Sequence, residues 1–159
     1  MRRKDREITD ISEILEIIDK AKILHLGLFD SEFPYVVPLH YGYEYSDNTL
    51  VFYLHGAGEG YKLDLIRKDP RVCVQLDTEV TATSGEDVPC NYGSDYASVI
   101  ARGTAEILQD TDEKIKGLKL LMKNQTGRDF EFTDMMASSV AVIKITVSEF
   151  TAKRKRTVC

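Results

Sequence analysis

The feature that most constrains this chain is a succession of strand-like runs with almost no helix between them. Six such runs are readable: residues 21–29 (AKILHLGLF), 34–45 (PYVVPLHYGYEY), 50–54 (LVFYL), 71–77, 97–108 (ASVIARGTAEIL) and 140–147 (VAVIKITV). Asp30-Ser31-Glu32 and Ser46-Asp47-Asn48 are turn signals between the first three. A parallel sheet needs a crossover of roughly a dozen or more residues between each strand pair, usually a helix. Helical spacing occurs at only three places. Residues 10–20 carry Ile11, Ile14, Leu15 and Ile18, with Asp10 and Glu13 forming a capping box. A second helix opens after Gly60 and stops at Asp69-Pro70, because a residue before proline avoids the αR region. The third spans residues 112–124, with Ile115, Leu118, Leu121 and Met122 on one stripe. The pattern therefore predicts a six-stranded antiparallel sheet closed as a small barrel, which removes exposed edges. Pro38 implies an edge, a bulge or a place where something other than a strand lies alongside, and Gly103 marks a bend. Residues 78–96 are polar and read as a long loop.

At 159 residues and 43% apolar content the chain fits one domain, residues 1–159, with no repeat or linker. A net charge of -5 disfavours indiscriminate binding to nucleic acid or to an anionic membrane. The basic runs Met1-Arg2-Arg3-Lys4 and Lys153-Arg154-Lys155-Arg156 read as solvated termini. No apolar window is long enough to span a bilayer, and no signal peptide is visible, so a cytoplasmic location is expected. Cys73, Cys90 and Cys159 form neither a disulfide framework nor a CxxC site, and Cys73, in RVCVQL, reads as a small buried hydrophobe. His25, His40 and His55 stand on separate segments without an HExxH pattern, so no metal site is expected.

Residues 50–70 (LVFYLHGAGEGYKLDLIRKDP) carry the chemistry. A strand runs into a loop with Gly56, Gly58 and Gly60, then into a helix whose first turn holds Lys62. Glycines there permit close backbone approach, and the first free N–H groups of a helix favour an anion. With His55 and Lys62 on either side, the natural guest is a phosphate. GxxxxGK[ST] is absent, so nothing points to a nucleoside triphosphate.

Three segments in this order, ILHLGLFDSEFPYVVPLHYGYE, LVFYLHGAGEGYKLDLIRKDPRVCV and SDYASVIARGTAEI, resemble the FMN-binding split-barrel proteins related to pyridoxamine 5′-phosphate oxidase, and among them the nitroimidazole-resistance type. The resemblance runs from Arg6 to about Lys153. It implies a six-stranded split barrel, a homodimer, and FMN in each of two clefts between subunits. It places Val37, Pro38, Leu39 and His40 against the isoalloxazine. Tyr53, Leu54, His55 and Lys62 fall at the ribityl phosphate, and Ser98, with Arg102 or Tyr96, reaches the flavin from the same cleft. Where the oxidases have Ser-Arg-Lys, this chain has Gly60-Tyr61-Lys62, which weakens the phosphate clamp or passes the task to His55. The chain has no Trp and ends in EFTAKRKRTVC, so the resemblance does not extend to pyridoxamine phosphate as substrate. In the nitroimidazole-resistance relatives the residue matched by His55 is the one implicated in function, and His55 is the candidate catalytic residue.

With FMN, the implied chemistry is reduction of a nitro-aromatic or similar small acceptor by an oxidoreductase. No GxGxxG follows a strand, so NAD(P)H would visit transiently rather than occupy a resident dinucleotide domain. Tyr41, Tyr53, Tyr92 and Tyr96 are candidates to stack on or hydrogen-bond a planar ligand. Two other readings stay open at this point: a non-catalytic flavin or haem binder or sensor, with His55 or His40 offered to iron, and a binding module without cofactor.

Overall fold

A computed structural model describes residues 3–156. Its helices are α1 (Ile11–Lys20), α2 (Tyr61–Lys68), α3 (Thr111–Thr126) and α4 (Asp134–Ser138). Its strands are β1 (Glu7–Ile8), β2 (Leu24–Leu28), β3 (Tyr35–Leu39), β4 (Tyr41–Ser46), β5 (Thr49–Gly56), β6 (Arg71–Thr83), β7 (Gly93–Ile107) and β8 (Ala141–Lys155). All pair antiparallel in one sheet of order β3-β2-β6-β7-β8-β5-β4, with β1 added along β8. The architecture is the expected split barrel, but the sheet has eight strands rather than six, and it does not close. β3 and β4 are its two edges although only His40 separates them in the chain. The run 34–45 is thus two strands, and the break falls at His40 rather than at Pro38. Pro38 sits within β3 opposite His25 on an edge strand, where its missing N–H costs no ladder bond.

Alternation places Leu24, Leu26, Phe52, Leu54, Leu76, Ile143 and Ile145 inside, together with Ile17 and Ile18 of α1, all fully buried. Asp10 caps α1 by accepting from the Glu13 amide at 3.0 Å. α2 adds Leu63, Leu65 and Ile66 to the same cluster. A second cluster, Val51, Tyr53, Leu118 and Val142, lies outside the sheet under α3. Two glycines let that helix approach: a Cβ on Gly42 would lie 2.2 Å from the Leu121 amide nitrogen, and one on Gly117 would lie 2.7 Å from the Tyr53 ring.

The segment 78–96 is not the long loop its polarity suggested. β6 and β7 continue as a hairpin past the barrel, with a bulge between Thr78 and Thr81 at which Glu79 takes φ 56°. The basic terminus is likewise mostly strand, since β8 runs to Lys155. Its Arg154 side chain is only 11% exposed and pairs with Glu13, Glu16 and Glu79, so this run is anchored rather than solvated. Cys73 is exposed on the outer face of β6 and not in the core. Met1, Arg2 and Cys159 lie outside the described residues. No helix among the described residues is long and apolar enough to cross a membrane.

Candidate functional site

The β4–β5 ladder ends at Tyr41 opposite Leu54. One step beyond it, His40 and His55 occupy the next opposed position, at the seam where the sheet stays open. His55 is the next-to-last residue of β5, exposed at its end, and after Gly56 the chain turns through Ala57, Gly58 and Glu59 into α2. Gly60, at φ 139°, accepts the first helical bonds from Leu63 and Asp64. Lys62, in the first turn of α2, folds back over Gly56: a Cβ on Gly56 would lie 2.7 Å from Lys62 Nζ and 3.0 Å from its Cε. Gly56 is therefore the space in which the ammonium rests.

Three basic groups thus share one corner. Burial, then His40, then Lys62 hold the His55 imidazole below its ordinary value of 6.5, so it is neutral near pH 7. Among the described residues neither the Lys62 nor the His55 side chain has a hydrogen-bond or ion-pair partner. His40 is different, because its Nδ1 meets the Gln125 Oε1 at 2.9 Å and the Lys22 carbonyl at 3.2 Å. An ammonium without an ion-pair partner, beside two imidazoles, forms a site for an anion.

The remaining sequence candidates divide. Val37 and Leu39 point inward, packed on the core, whereas Pro38 is exposed on the outer face of β3. Leu54 is fully buried in the barrel. Tyr53 is buried under α3 and donates to Glu44 at 2.7 Å, so only its backbone lies near the corner. Tyr41 is core, its hydroxyl donating to the Ile18 and Ala21 carbonyls. Tyr92 donates to the Glu86 carbonyl at the hairpin tip. Tyr96, Ser98 and Arg102 lie along the outer face of β7, with Arg102 paired to Glu149 at 2.9 Å. By register Ser98 is level with His40 but three strand spacings away, about 14 Å. A single protomer does not bring this group to His55.

A feature not found from the sequence is a cleft of about 1040 Å³ on the outer face of β3, β2, β6 and β7. Val36, Phe29 and Phe33 give it an apolar wall, and Arg71, Arg102 and His25 line it as well. Phe29, Phe33 and Val36 are all more than half exposed, and Arg71 stacks over Phe29 at 4.7 Å. The Nδ1 of His25 is buried without a partner. The signal was present in the alternation His25, Gly27, Phe29, but an outer face carries the same period as a solvated one.

Comparison with known proteins fits this arrangement. The family model described as pyridoxamine 5′-phosphate oxidase matches residues 10–154. Among solved structures, a candidate 5-nitroimidazole antibiotic resistance protein from Bacteroides thetaiotaomicron is 31% identical, covering 93% of this chain and 86% of that one, with a TM-score of 0.79. The flavocytochrome Anf3 of Azotobacter vinelandii shares the fold at 17% identity and a TM-score of 0.78, covering 99% of this chain and 72% of that one. An FAD and haem binding protein of Mycobacterium smegmatis does so at 14% and 0.80, covering 96% and 74%. No curated protein matches the chain. Since the match takes in both edges of the split sheet and the corner between them, the chain belongs to the pyridoxamine 5′-phosphate oxidase family.

Proposed function

We propose that this chain binds FMN as a homodimer, one flavin in each of two clefts between protomers, and works as an oxidoreductase on nitro-aromatic or similar small acceptors. The observation that carries this is the corner of His40, His55 and Lys62, which sets an ammonium that has no ion-pair partner among the described residues beside two imidazoles. Lys62 supplies a compact full charge to the phosphate, and the two imidazoles supply hydrogen bonds. From His40 the outer face of β3 leads past Pro38 to Val36 at the cleft rim, four residues or about 13 Å. That span suits a guest with an anionic tail at the corner and a flat apolar body on the outer face. The cleft is open along its outer side, and a second copy laid there would cover its apolar wall. It would also bring Ser98, Tyr96 or Arg102 from the partner, which explains why one protomer leaves them far from His55.

When bound, FMN supplies the electron transfer, with a nicotinamide as the transient donor. The relative named for 5-nitroimidazole resistance supports the acceptor class. A haem reading has its own support: His55 is held neutral, the form that ligates metal, and of the fold relatives one is named an FAD and haem binding protein and another a flavocytochrome. The visible spectrum and mass spectrum of the purified protein decide. A flavin absorption pair that bleaches with NADH and a copurified FMN mass are expected. A Soret band would favour haem, and colourless protein indifferent to added FMN would overturn both.

A further inference from the structure

The anion corner is built on one residue held from a distance. We infer that Gln125, in the last turn of α3, is a positioning residue that fixes the tautomer of His40 and so decides whether the nitrogen facing the guest carries a proton. This rests on the phosphate reading of the corner.

Gln125 Nε2 donates to the Tyr41 carbonyl at 2.9 Å and to the Lys22 carbonyl at 3.3 Å. Those two acceptors fix the orientation of the amide, so the atom facing His40 Nδ1 is its oxygen. The second atom within reach of Nδ1, the Lys22 carbonyl, is also an acceptor. With only oxygens around it, Nδ1 must carry the proton. Nε2 is then the unprotonated nitrogen of the neutral ring: it accepts a hydrogen bond when neutral and donates one to an anion when protonated. The last turn of α3 is itself pinned here. Asn124 Nδ2 donates to the same Tyr41 carbonyl at 2.9 Å, and Lys22 Nζ donates to the Asn124 carbonyl at 2.6 Å. Residues 124 and 125 thus reach across the seam to hold the single residue at which β3 gives way to β4. The polar end of α3 serves the site, while its apolar stripe serves the core.

The test is the ¹⁵N spectrum of the imidazole nitrogens, with FMN and riboflavin titrated in parallel. The wild-type chain is expected to show His40 protonated at Nδ1 in its neutral form. Gln125→Leu removes one of the two acceptors of Nδ1–H and should shift the neutral ring toward the Nε2–H form; that form donates to the phosphate without taking up a proton, so where the ring is neutral FMN should bind about fivefold more tightly, the net value of one hydrogen bond, with riboflavin unaffected. Gln125→Glu keeps an acceptor for Nδ1–H and should keep the wild-type tautomer although it loses the two bonds to the Tyr41 and Lys22 carbonyls and with them some stability, so a tautomer that changes in Gln125→Leu and not in Gln125→Glu separates positioning from damage to the fold. A wild-type His40 protonated at Nε2, or a tautomer indifferent to Gln125→Leu in a folded variant, overturns the inference. If the tautomer responds as expected while no variant takes up FMN, the cofactor assignment falls and the positioning stands.

Discussion

Replacing Gly56 by alanine separates the phosphate role of Lys62 from every other contact in the corner. Gly56 is not in the left-handed region and pairs regularly with Ala141, so the backbone of β5 accepts a methyl group there. The new Cβ would stand 2.7 Å from Lys62 Nζ, and the flexible end of the lysine must leave. A charge-assisted hydrogen bond contributes about 1.5–3 kcal/mol. Lys62 is only partly buried, so the lower end applies, roughly a tenfold rise in the FMN Kd. Lys62→Ala should lose the same factor. The double variant should be no worse than either single one, because both remove one interaction. Fluorescence quenching of FMN and of riboflavin, which lacks the phosphate, is the assay. Riboflavin affinity should be equal in all four proteins. If Gly56→Ala leaves the FMN-to-riboflavin ratio unchanged, or if both ligands weaken together, the ammonium does not hold the phosphate.

Because the phosphate grip is charge, wild-type FMN affinity should fall with added salt and that of Lys62→Ala should fall less, read from titrations at several ionic strengths. The lowered value of His55 means that the unfolded chain binds more protons than the folded one just below pH 6.5. Stability of the apo protein should therefore drop as pH falls through that window, and His55→Gln should lose this component of urea melts. FMN affinity should rise over the same window, since a phosphate favours the protonated ring. Gly42→Ala meets the backbone of α3 at 2.2 Å, not a side chain, and should destabilise the fold by about 3 kcal/mol in chemical denaturation. Val36→Asp, on the exposed wall of the cleft, should abolish dimerisation in sedimentation analysis and flavin retention together while leaving the monomer folded.

The barrel and its core were readable because β2, β6 and β7 alternate while β5 and the start of β8 are apolar on both faces, one toward the barrel and one under α3, and α1 because Asp10 and an apolar stripe mark it. The hairpin of β6 and β7 escaped because it projects past the core: Val80, Thr81 and Ala82 are exposed in succession, so alternation there marks no buried face, and the polar residues with Gly85, Pro89 and Gly93 read as loop. The end of β8 escaped for the opposite reason. A run of Lys and Arg looks solvated until the three carboxylates that meet Arg154, all distant in sequence, are placed beside it. α4 and β1, at five and two residues, are too short for any periodicity. In the corner, His55 and Lys62 are neighbours in sequence and were found that way. The opposition of His40 and His55 depends on the β4–β5 register, and the hold of Gln125 on His40 bridges 85 positions, so neither leaves a local trace.

The unclosed seam between β3 and β4 has a further consequence. Backbone groups facing a gap have no ladder to protect them, so in the empty protein the amides along both borders exchange with solvent before those of the inner strands. A guest that fills the gap would act as the absent staple of the cylinder, slowing that exchange on both sides at once. Occupancy would thus be written into the rigidity of the whole barrel rather than into the corner alone.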